Sequence, residues 1–167
     1  DERCVGPSSL ESNFNAASES LLSNISMPPE NIHRIKGELL PSEAARSYED
    51  ELVSFFGLKD GEPPPFDLVI LGFGKDGHTL SLFPGTKALI EYERLVVANH
   101  APDNAWRVTL TLRAIEKAHR TVFLVSGENK AGALKDIFDG ADLPAARVRA
   151  KELFWLVDSE AASCLKG

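Results

Sequence analysis

Two kinds of hydrophobic pattern alternate along this chain. Nearly continuous apolar runs predict buried strands at residues 68–71, 95–98, 108–112, 121–125 and 153–157, with a further short strand at 31–35. Apolar residues three and four positions apart predict helices at 12–25, 42–56, 113–118, 128–138 and 159–165. Strands that alternate with helices predict an α/β fold, in which a mostly parallel sheet is covered by helices on both faces.

The first two predicted helices each have an apolar face. Ser42 is a suitable N-cap for the second helix, and Pro28-Pro29 should end the first. The residues expected to be buried are Phe14, Ala17, Leu21, Leu22 and Ile25 in the first helix, and Ala45, Tyr48, Leu52, Val53 and Phe56 in the second. The proline-rich stretch 61–65 is typical of a stiff loop rather than a domain boundary.

Composition narrows the classes of function. A length of 167 residues with 43% hydrophobic residues predicts one globular domain over residues 1–167. The net charge of −7 argues against a nucleic-acid partner, which needs clustered cations. Cys4 and Cys164 have no metal-type spacing, which favours a reducing, cytoplasmic compartment. The sequence has no apolar run long enough to cross a membrane and no recognisable signal peptide.

The segment that follows the strand at 68–71 carries the strongest candidate chemistry. Three glycines, Gly72, Gly74 and Gly77, permit a sharp turn and a close approach of the backbone to a ligand. Asp76 and His78 lie in the same loop, where the carboxyl end of a strand in an open α/β sheet commonly binds ligands. We call residues 72–78 the glycine loop and interpret its titratable pair as a candidate catalytic site.

Two other interpretations of the glycine loop remain open. Its glycines match Gly-x-Gly-x-x-Gly, a motif of dinucleotide sites, but that motif requires a long helix at the third glycine. Here Pro84-Gly85 limits the helical stretch to about residues 78–83. The loop could also be a purely structural turn in which His78 only caps or packs.

The glycine loop resembles that of the sugar-phosphate enzyme family that contains 6-phosphogluconolactonases and glucosamine-6-phosphate deaminases. The family motif is Gly-x-Gly-x-Asp-Gly-His. The lactonase branch continues as Thr-x-Ser-Leu-Phe-Pro, which matches Thr79, Ser81, Leu82, Phe83 and Pro84 here. Deaminases carry a catalytic Glu at the position of Phe83. The resemblance therefore favours the lactonase branch.

Further segments resemble the family in the same order along nearly the whole chain. They are Asp1-Glu2-Arg3 with Ser12 and Asn13, residues 107–111, residues 126–131, and residues 153–158 with Ala161 and Ala162. Deaminases tend to carry Tyr at the position of Arg3. In the family, a Gly-Gly-Ser/Thr-Pro loop precedes the Asp-Glu-Arg segment and helps to hold the sugar phosphate. This sequence has no such loop, so we expect a domain that is incomplete at its N-terminus.

The resemblance implies a three-layer, Rossmann-like fold and hydrolysis of 6-phospho-D-glucono-1,5-lactone in the oxidative pentose phosphate pathway, without a metal or other cofactor. His78 would be the general base, since an imidazole titrates near neutral pH. Asp76 would orient its ring, although a turn-stabilising contact is an alternative. Structural roles are expected for the other histidines, His33, His100 and His119.

Cations are expected to complete the site. The resemblance implies that Arg3 stabilises the developing oxyanion. It also implies that Arg107 and Lys130 bind the 6-phosphate, with Gly72, Gly74 and Gly77 lining the substrate. Surface salt bridges are the alternative for Arg107 and Lys130. Two other functions stay open for the whole chain: deaminase-type chemistry on an amino-sugar phosphate, and sugar-phosphate binding without catalysis.

Overall fold

The computed structural model describes residues 1–59 and 61–165. Its strands are β1 (Glu2–Arg3), β2 (Leu68–Gly72), β3 (Val96–His100), β4 (Trp106–Leu110), β5 (Arg120–Val125) and β6 (Glu152–Val157). Its α-helices are α1 (Asn13–Ser20), α2 (Pro41–Phe56), α3 (Leu112–Ile115) and α4 (Ala131–Phe138). Short 3-10 turns occupy Leu22–Asn24, Pro29–Asn31, Lys87–Ile90, Glu128–Lys130 and Pro144–Arg147.

The described strands form two three-stranded sheets. The first is parallel, in the order β2-β5-β6, and the second is antiparallel, in the order β1-β4-β3. The α/β class is confirmed, but the prediction of a mostly parallel sheet is wrong for the described residues. The reason lies between β3 and β4, where a tight turn at 101–105 closes with Ala101 N–H donating to the Ala105 carbonyl at 2.9 Å. Such a short connection permits only antiparallel pairing.

Two hydrophobic cores hold the sheets in place. In one, the inner face of the parallel sheet packs Leu71 and Phe123 against Leu134 of α4. The Phe123 ring also stacks on Trp155, with centroids 4.0 Å apart and planes 11° apart. In the other core, Val108 of the antiparallel sheet packs among residues of α2. Each sheet therefore packs against a helix on one face.

The outer face of the parallel sheet is exposed and apolar. Strand residues alternate between faces, and the outer set consists of Leu68, Ile70, Leu124, Phe154 and Leu156, each at least 45% exposed. Parallel sheets are normally covered on both faces. The described residues cover only the inner face.

The N-terminal helix differs from its prediction. Ser12 caps α1 by accepting a hydrogen bond from Asn15 N–H at 3.1 Å, but the helix ends at Ser20. None of its residues is buried, and both Leu21 and Ile25 beyond its end are exposed. The strand predicted at 31–35 is absent from the described residues. The apolar spacing at 12–25 therefore does not mark a buried helical face in the described residues.

The second helix matches its prediction in extent but not in capping. It begins at Pro41, and the preceding Leu40 makes no side-chain cap, so Ser42 is not the N-cap. Proline suits the first helical turn because its missing N–H has no partner there anyway. Ala45 and Leu52 are buried as expected, whereas Val53 is exposed.

Three other predicted helices are shorter or missing. Residues 113–118 contribute only to the one-turn helix α3, and residues 128–138 form a 3-10 turn followed by α4. Residues 159–165 form turns rather than a helix. Across residues 1–59 and 61–165, no helix is both long enough and apolar enough to span a membrane.

Candidate active site

The glycine loop forms a tight turn at the carboxyl end of β2. Gly74 N–H donates to the His78 carbonyl at 2.8 Å, and Gly77 N–H donates to the Gly74 carbonyl at 3.0 Å. Gly77 has a φ of +75°, which favours glycine because it has no Cβ. No helix begins at Gly77 or directly after it. This geometry does not match a dinucleotide-binding turn, which requires a helix at that point.

His78 and Asp76 form a hydrogen-bonded pair within this turn. The Nδ1 atom of His78 lies 2.5 Å from Oδ1 of Asp76, and the same oxygen accepts the His78 backbone N–H at 3.3 Å. The carboxylate therefore makes both the ring contact and the turn-stabilising contact that the sequence suggested. Partial burial acts to raise the pKa of Asp76, but the hydrogen bond and charge of His78 outweigh it, and the pKa is lowered overall.

Gly74 makes room for this pair. A Cβ added at Gly74 would overlap the imidazole of His78 and would lie 2.8 Å from Oδ1 of Asp76. Real Cβ atoms do not approach other atoms so closely. The glycine is therefore required by the position of the His78–Asp76 pair as well as by the turn.

Phe83 joins His78 to Arg107. Its ring centroid lies 4.4 Å from that of the imidazole. The guanidinium carbon of Arg107 lies 5.6 Å from the centroid of the same ring, within the range of a cation–π contact. His78 and Arg107 thus belong to one site, with the aromatic ring as their common contact.

Residues just beyond the glycine loop tie it to the antiparallel sheet. Ser81 N–H donates to Oγ1 of Thr109 at 3.1 Å, and the Ser81 hydroxyl donates to the Asp1 carboxylate at 2.7 Å. Asn99 donates to the Ser81 carbonyl at 2.7 Å. Ser81, Asn99 and Thr109 are buried. Residues of β3 and β4 therefore fix the segment that carries His78 and Phe83.

Arg3 lies near this site by strand register. It pairs directly with Arg107 across β1 and β4, and directly paired residues project from the same face of a sheet. Its Nη1 donates to the Glu11 carbonyl at 2.6 Å. The structure thus brings Arg3 next to Arg107 and records no contact between Arg3 and the His78–Asp76 pair among the described residues.

Glu2 explains why the Asp-Glu-Arg segment is linked to Ser12 and Asn13. Its buried carboxylate accepts from the Ser12 hydroxyl at 2.9 Å, Asn13 N–H at 2.7 Å and Phe14 N–H at 2.8 Å. A carboxylate at a helix N-terminus satisfies free N–H groups and complements the helix dipole. Glu2 thereby attaches α1 to the strand that carries Arg3.

Lys130 lies in the loop after β5, beside the glycine loop. Strands β2 and β5 are parallel neighbours, so both loops leave the same edge of the sheet. Asp158, at the end of β6, closes this loop by accepting from the Ser126 hydroxyl at 2.5 Å and Gly127 N–H at 3.1 Å. Lys130 is half-buried and forms no ion pair among the described residues.

The other three histidines have structural surroundings. His33 lies 2.6 Å from a Glu51 carboxylate oxygen through Nδ1. His100 packs edge-on against Trp106 at 5.1 Å. The backbone of His119 hydrogen-bonds to Phe66 and Glu152. Each lies outside the contacts that surround His78.

Four residues that hold the site in place were assigned no role from sequence: Asp1, Ser81, Asn99 and Asp158. Asp1, Ser81 and Asp158 stand in the motifs that resemble the family, so the motifs marked them without indicating what they do. Asn99 has no such signal. Within the described residues, no group of three or more His, Cys, Asp or Glu side chains could hold a metal ion.

Comparison with known proteins gives consistent results. Residues 1–155 match the family described as glucosamine-6-phosphate isomerases/6-phosphogluconolactonase. A 6-phosphogluconolactonase from Synechocystis sp. is 39% identical over 172 residues, covering 99% of this chain and 71% of that protein. One from Aggregatibacter actinomycetemcomitans is 39% identical over 171 residues, covering 99% and 72%.

Structural comparison agrees. The crystal structure of a 6-phosphogluconolactonase from Thermotoga maritima superposes with a TM-score of 0.81 at 34% identity, covering 93% of this chain and 69% of that one. The family match covers most of the chain, and it includes the glycine loop and the strand of Arg107. This chain therefore belongs to the family of glucosamine-6-phosphate isomerases and 6-phosphogluconolactonases.

Proposed function

We propose that this chain hydrolyses 6-phospho-D-glucono-1,5-lactone to 6-phospho-D-gluconate, a step of the oxidative pentose phosphate pathway. The observation that carries the proposal is the His78–Asp76 pair, 2.5 Å apart in the glycine loop. The chain is also 39% identical, over 99% of its length, to a protein named as a 6-phosphogluconolactonase.

His78 is the general base of the proposed reaction. Asp76 holds Nδ1, which leaves Nε2 free to accept a proton from a water molecule. The oxygen of that water bonds to the lactone carbonyl carbon, and the ester bond to the ring oxygen then breaks. His78 returns the proton to the ring oxygen, which becomes a hydroxyl group. The carboxylate of Asp76 stabilises the imidazolium between these two steps.

Three cationic side chains bind the negatively charged groups of the substrate. Arg3 stabilises the oxyanion that forms on the carbonyl, and Arg107 and Lys130 bind the 6-phosphate. The pairing of Arg3 with Arg107 and the shared edge of the loops after β2 and β5 support this assignment. Gly72, Gly74 and Gly77 supply close backbone contacts to the sugar.

Phe83 argues against deaminase chemistry. Its ring packs 4.4 Å from the imidazole of His78. A carboxylate is expected at this position in a deaminase, and an apolar ring cannot act as an acid. The lactone is therefore the preferred substrate within the family.

We include a third layer in this proposal, so that the complete fold is a three-layer, Rossmann-like sheet within a single domain. The exposed outer face of the parallel sheet supports it, because Ile70, Leu124 and Leu156 are between 50% and 61% exposed. A helical layer on this face is the third layer of the proposal. A cytoplasmic location is also part of the proposal, since Cys4 and Cys164 are both free thiols.

The proposal is tested by measuring lactone hydrolysis, corrected for the spontaneous reaction, with the unmodified chain, His78→Ala and His119→Ala. We expect His78→Ala to lower the rate by about 10²- to 10⁴-fold, while the exposed His119 serves as a matched control. Circular dichroism checks that each variant folds. Equal rates for all three proteins would exclude His78 as the base. Ammonia release from glucosamine 6-phosphate would instead indicate a deaminase.

A further inference from the structure

Arg107 holds its guanidinium in a restricted position. The side chain is only 11% exposed, and the guanidinium lies over the Phe83 ring. Its Nε is buried and has no hydrogen-bond partner among the described residues. Its Nη2 forms an ion pair with the carboxylate of Asp103.

This position leaves one edge of the guanidinium for a ligand. Arginine binds phosphate in a bidentate manner through either Nε and one Nη or both Nη atoms. Burial of Nε disfavours the first arrangement, so an anion should use the two Nη atoms. Asp103 already occupies Nη2. An anionic ligand that uses both Nη atoms therefore shares Nη2 with the Asp103 carboxylate and lies next to its negative charge.

Asp103 is placed where an anionic ligand can displace its carboxylate from Arg107. It lies in the turn between β3 and β4, and its side chain is 57% exposed. Its Oδ1 accepts the Ala105 backbone N–H at 3.1 Å, while Oδ2 contacts Arg107. The Ala105 N–H and the charge of Arg107 lower the pKa of Asp103, so the carboxylate is charged at neutral pH. An ion pair with so exposed a partner contributes little stability.

We propose that Asp103 is a displaceable counter-ion that competes with the phosphate group of the substrate for Arg107. The inference rests on the proposed function, because it takes Arg107 as a ligand of the phosphate. In the free protein Asp103 neutralises Arg107 and keeps its guanidinium against Phe83. A phosphate dianion displaces Asp103 because it carries more charge and can contact both Nη atoms. Asp103 thus lowers the affinity for all anions and favours doubly charged ones.

Binding of inorganic phosphate and of 6-phosphogluconate, measured by titration calorimetry, tests this inference. Asp103→Asn keeps an oxygen for Ala105 N–H but removes the competing charge. We expect it to tighten the binding of both ligands by about two- to five-fold, the range set by a weak ion pair. Asp142→Asn is the matched control, since it removes the same charge from another exposed pair, with Arg147. It should leave both affinities unchanged.

Adding Arg107→Met to Asp103→Asn should abolish the gain. The inference would be overturned if Asp103→Asn bound both ligands with unchanged affinity. It would also be overturned if neither the unmodified chain nor Asp103→Asn bound phosphate. Weaker binding would also overturn it, since Asp103 would then support Arg107 rather than compete with the ligand. Lactone turnover is measured separately: an active enzyme with unchanged affinities refutes only the role of Asp103. Tighter phosphate binding without turnover refutes only the proposed reaction.

Discussion

At the scale of residues, the site depends on a few contacts between near neighbours in sequence. Asp76 uses one carboxylate oxygen for both the ring and the backbone of His78. Gly74 leaves the space in which that contact forms. Phe83 then extends the site to Arg107, 24 positions further along the chain. The first two contacts follow from the spacing of the loop, whereas the third depends on the fold.

Replacing Asp76 by Asn should lower kcat while the protein stays folded. The amide can still contact the imidazole, but it carries no charge to stabilise the imidazolium and favours the wrong tautomer. We expect a fall of roughly ten- to a thousand-fold in kcat, measured by lactone hydrolysis. Asp139→Asn, which removes an exposed ion pair with Lys135 in α4, is the control. An unchanged kcat in Asp76→Asn would show that the carboxylate serves only the turn.

Replacing Gly74 by Ala should displace His78. The new Cβ would overlap the imidazole, so the ring must move away from Asp76. We expect loss of most lactone hydrolysis with a smaller effect on thermal unfolding, because the glycine loop lies at the edge of the sheet. Gly132→Ala, where a Cβ meets nothing within 4 Å, is the matched control. Retained activity in Gly74→Ala would contradict the proposed geometry.

At the scale of elements, two carboxylates fasten the segments that carry the site. Glu2 joins β1 to the N-terminus of α1. Asp158 joins the end of β6 to the loop that leads to Lys130. Each carboxylate accepts at least three hydrogen bonds from the segments that it joins. Neither is expected to touch the substrate.

Glu2→Gln should destabilise the protein without a direct effect on chemistry. Both carboxylate oxygens of Glu2 accept hydrogen bonds. In the amide, one oxygen is replaced by an NH₂ group, which would face N–H or O–H donors and could not accept from them. We expect a loss of about 1–3 kcal/mol in the free energy of unfolding, measured by urea denaturation. Glu11→Gln, at an exposed position, provides the comparison. Equal stabilities would mean that α1 is held by other contacts.

Asp158→Asn should change how stability depends on pH. The hydrogen bond from Ser126 is the largest cause that lowers the pKa of Asp158 in the folded state. The stabilisation is therefore present above the unfolded pKa of about 4 and is lost as the pH falls through the lower folded value. Melting temperatures of the two proteins should differ most above about pH 5 and converge in acid. A difference between the two proteins that does not depend on pH would contradict the assignment.

The sequence predicted the strands well and several helices badly. Each predicted strand from residue 68 onward is present within two residues, because continuous apolar runs mark strands that pack on a core. The helix at 159–165 and the strand at 31–35 failed because their apolar residues pack irregular segments. The antiparallel sheet was missed for two reasons: its β3–β4 pairing depends on the tight turn at 101–105, and β1 has only two residues and depends on its pairing with β4. The ion pair between Asp103 and Arg107 was not predicted either, because it depends on the turn between β3 and β4.

At the scale of the whole molecule, the site lies where the two sheets meet. The parallel sheet supplies the glycine loop and the loop of Lys130, while the antiparallel sheet supplies Arg3 and Arg107. A hydrogen bond from Ser81 N–H to Thr109 attaches the segment that follows the glycine loop to β4 of the antiparallel sheet. Relative movement of the sheets would therefore separate His78 from Arg3 and Arg107.

The exposed outer face of the parallel sheet should bind apolar probes. We expect this chain to enhance the fluorescence of anilinonaphthalene sulfonate under native conditions, because Ile70, Leu124 and Leu156 form a continuous apolar surface. Ile70→Ser with Leu156→Ser should reduce this signal. Leu10→Ser is the control, since Leu10 is 94% exposed but isolated from this face. An equal fluorescence signal from the unmodified chain, the double variant and Leu10→Ser would show that the probe binds elsewhere.

The pairing of β1 with β4 also determines when the site can form. Glu2 and Arg3 pair with residues more than one hundred positions later in the chain. Closing so long a loop is slow, and contacts between distant residues usually form late in folding. During synthesis, Arg3 and Arg107 cannot meet until β4 has left the ribosome, and β2, which leads into the glycine loop, cannot pair with β5 until later still. Catalytic competence should therefore be among the last properties that a newly made chain acquires.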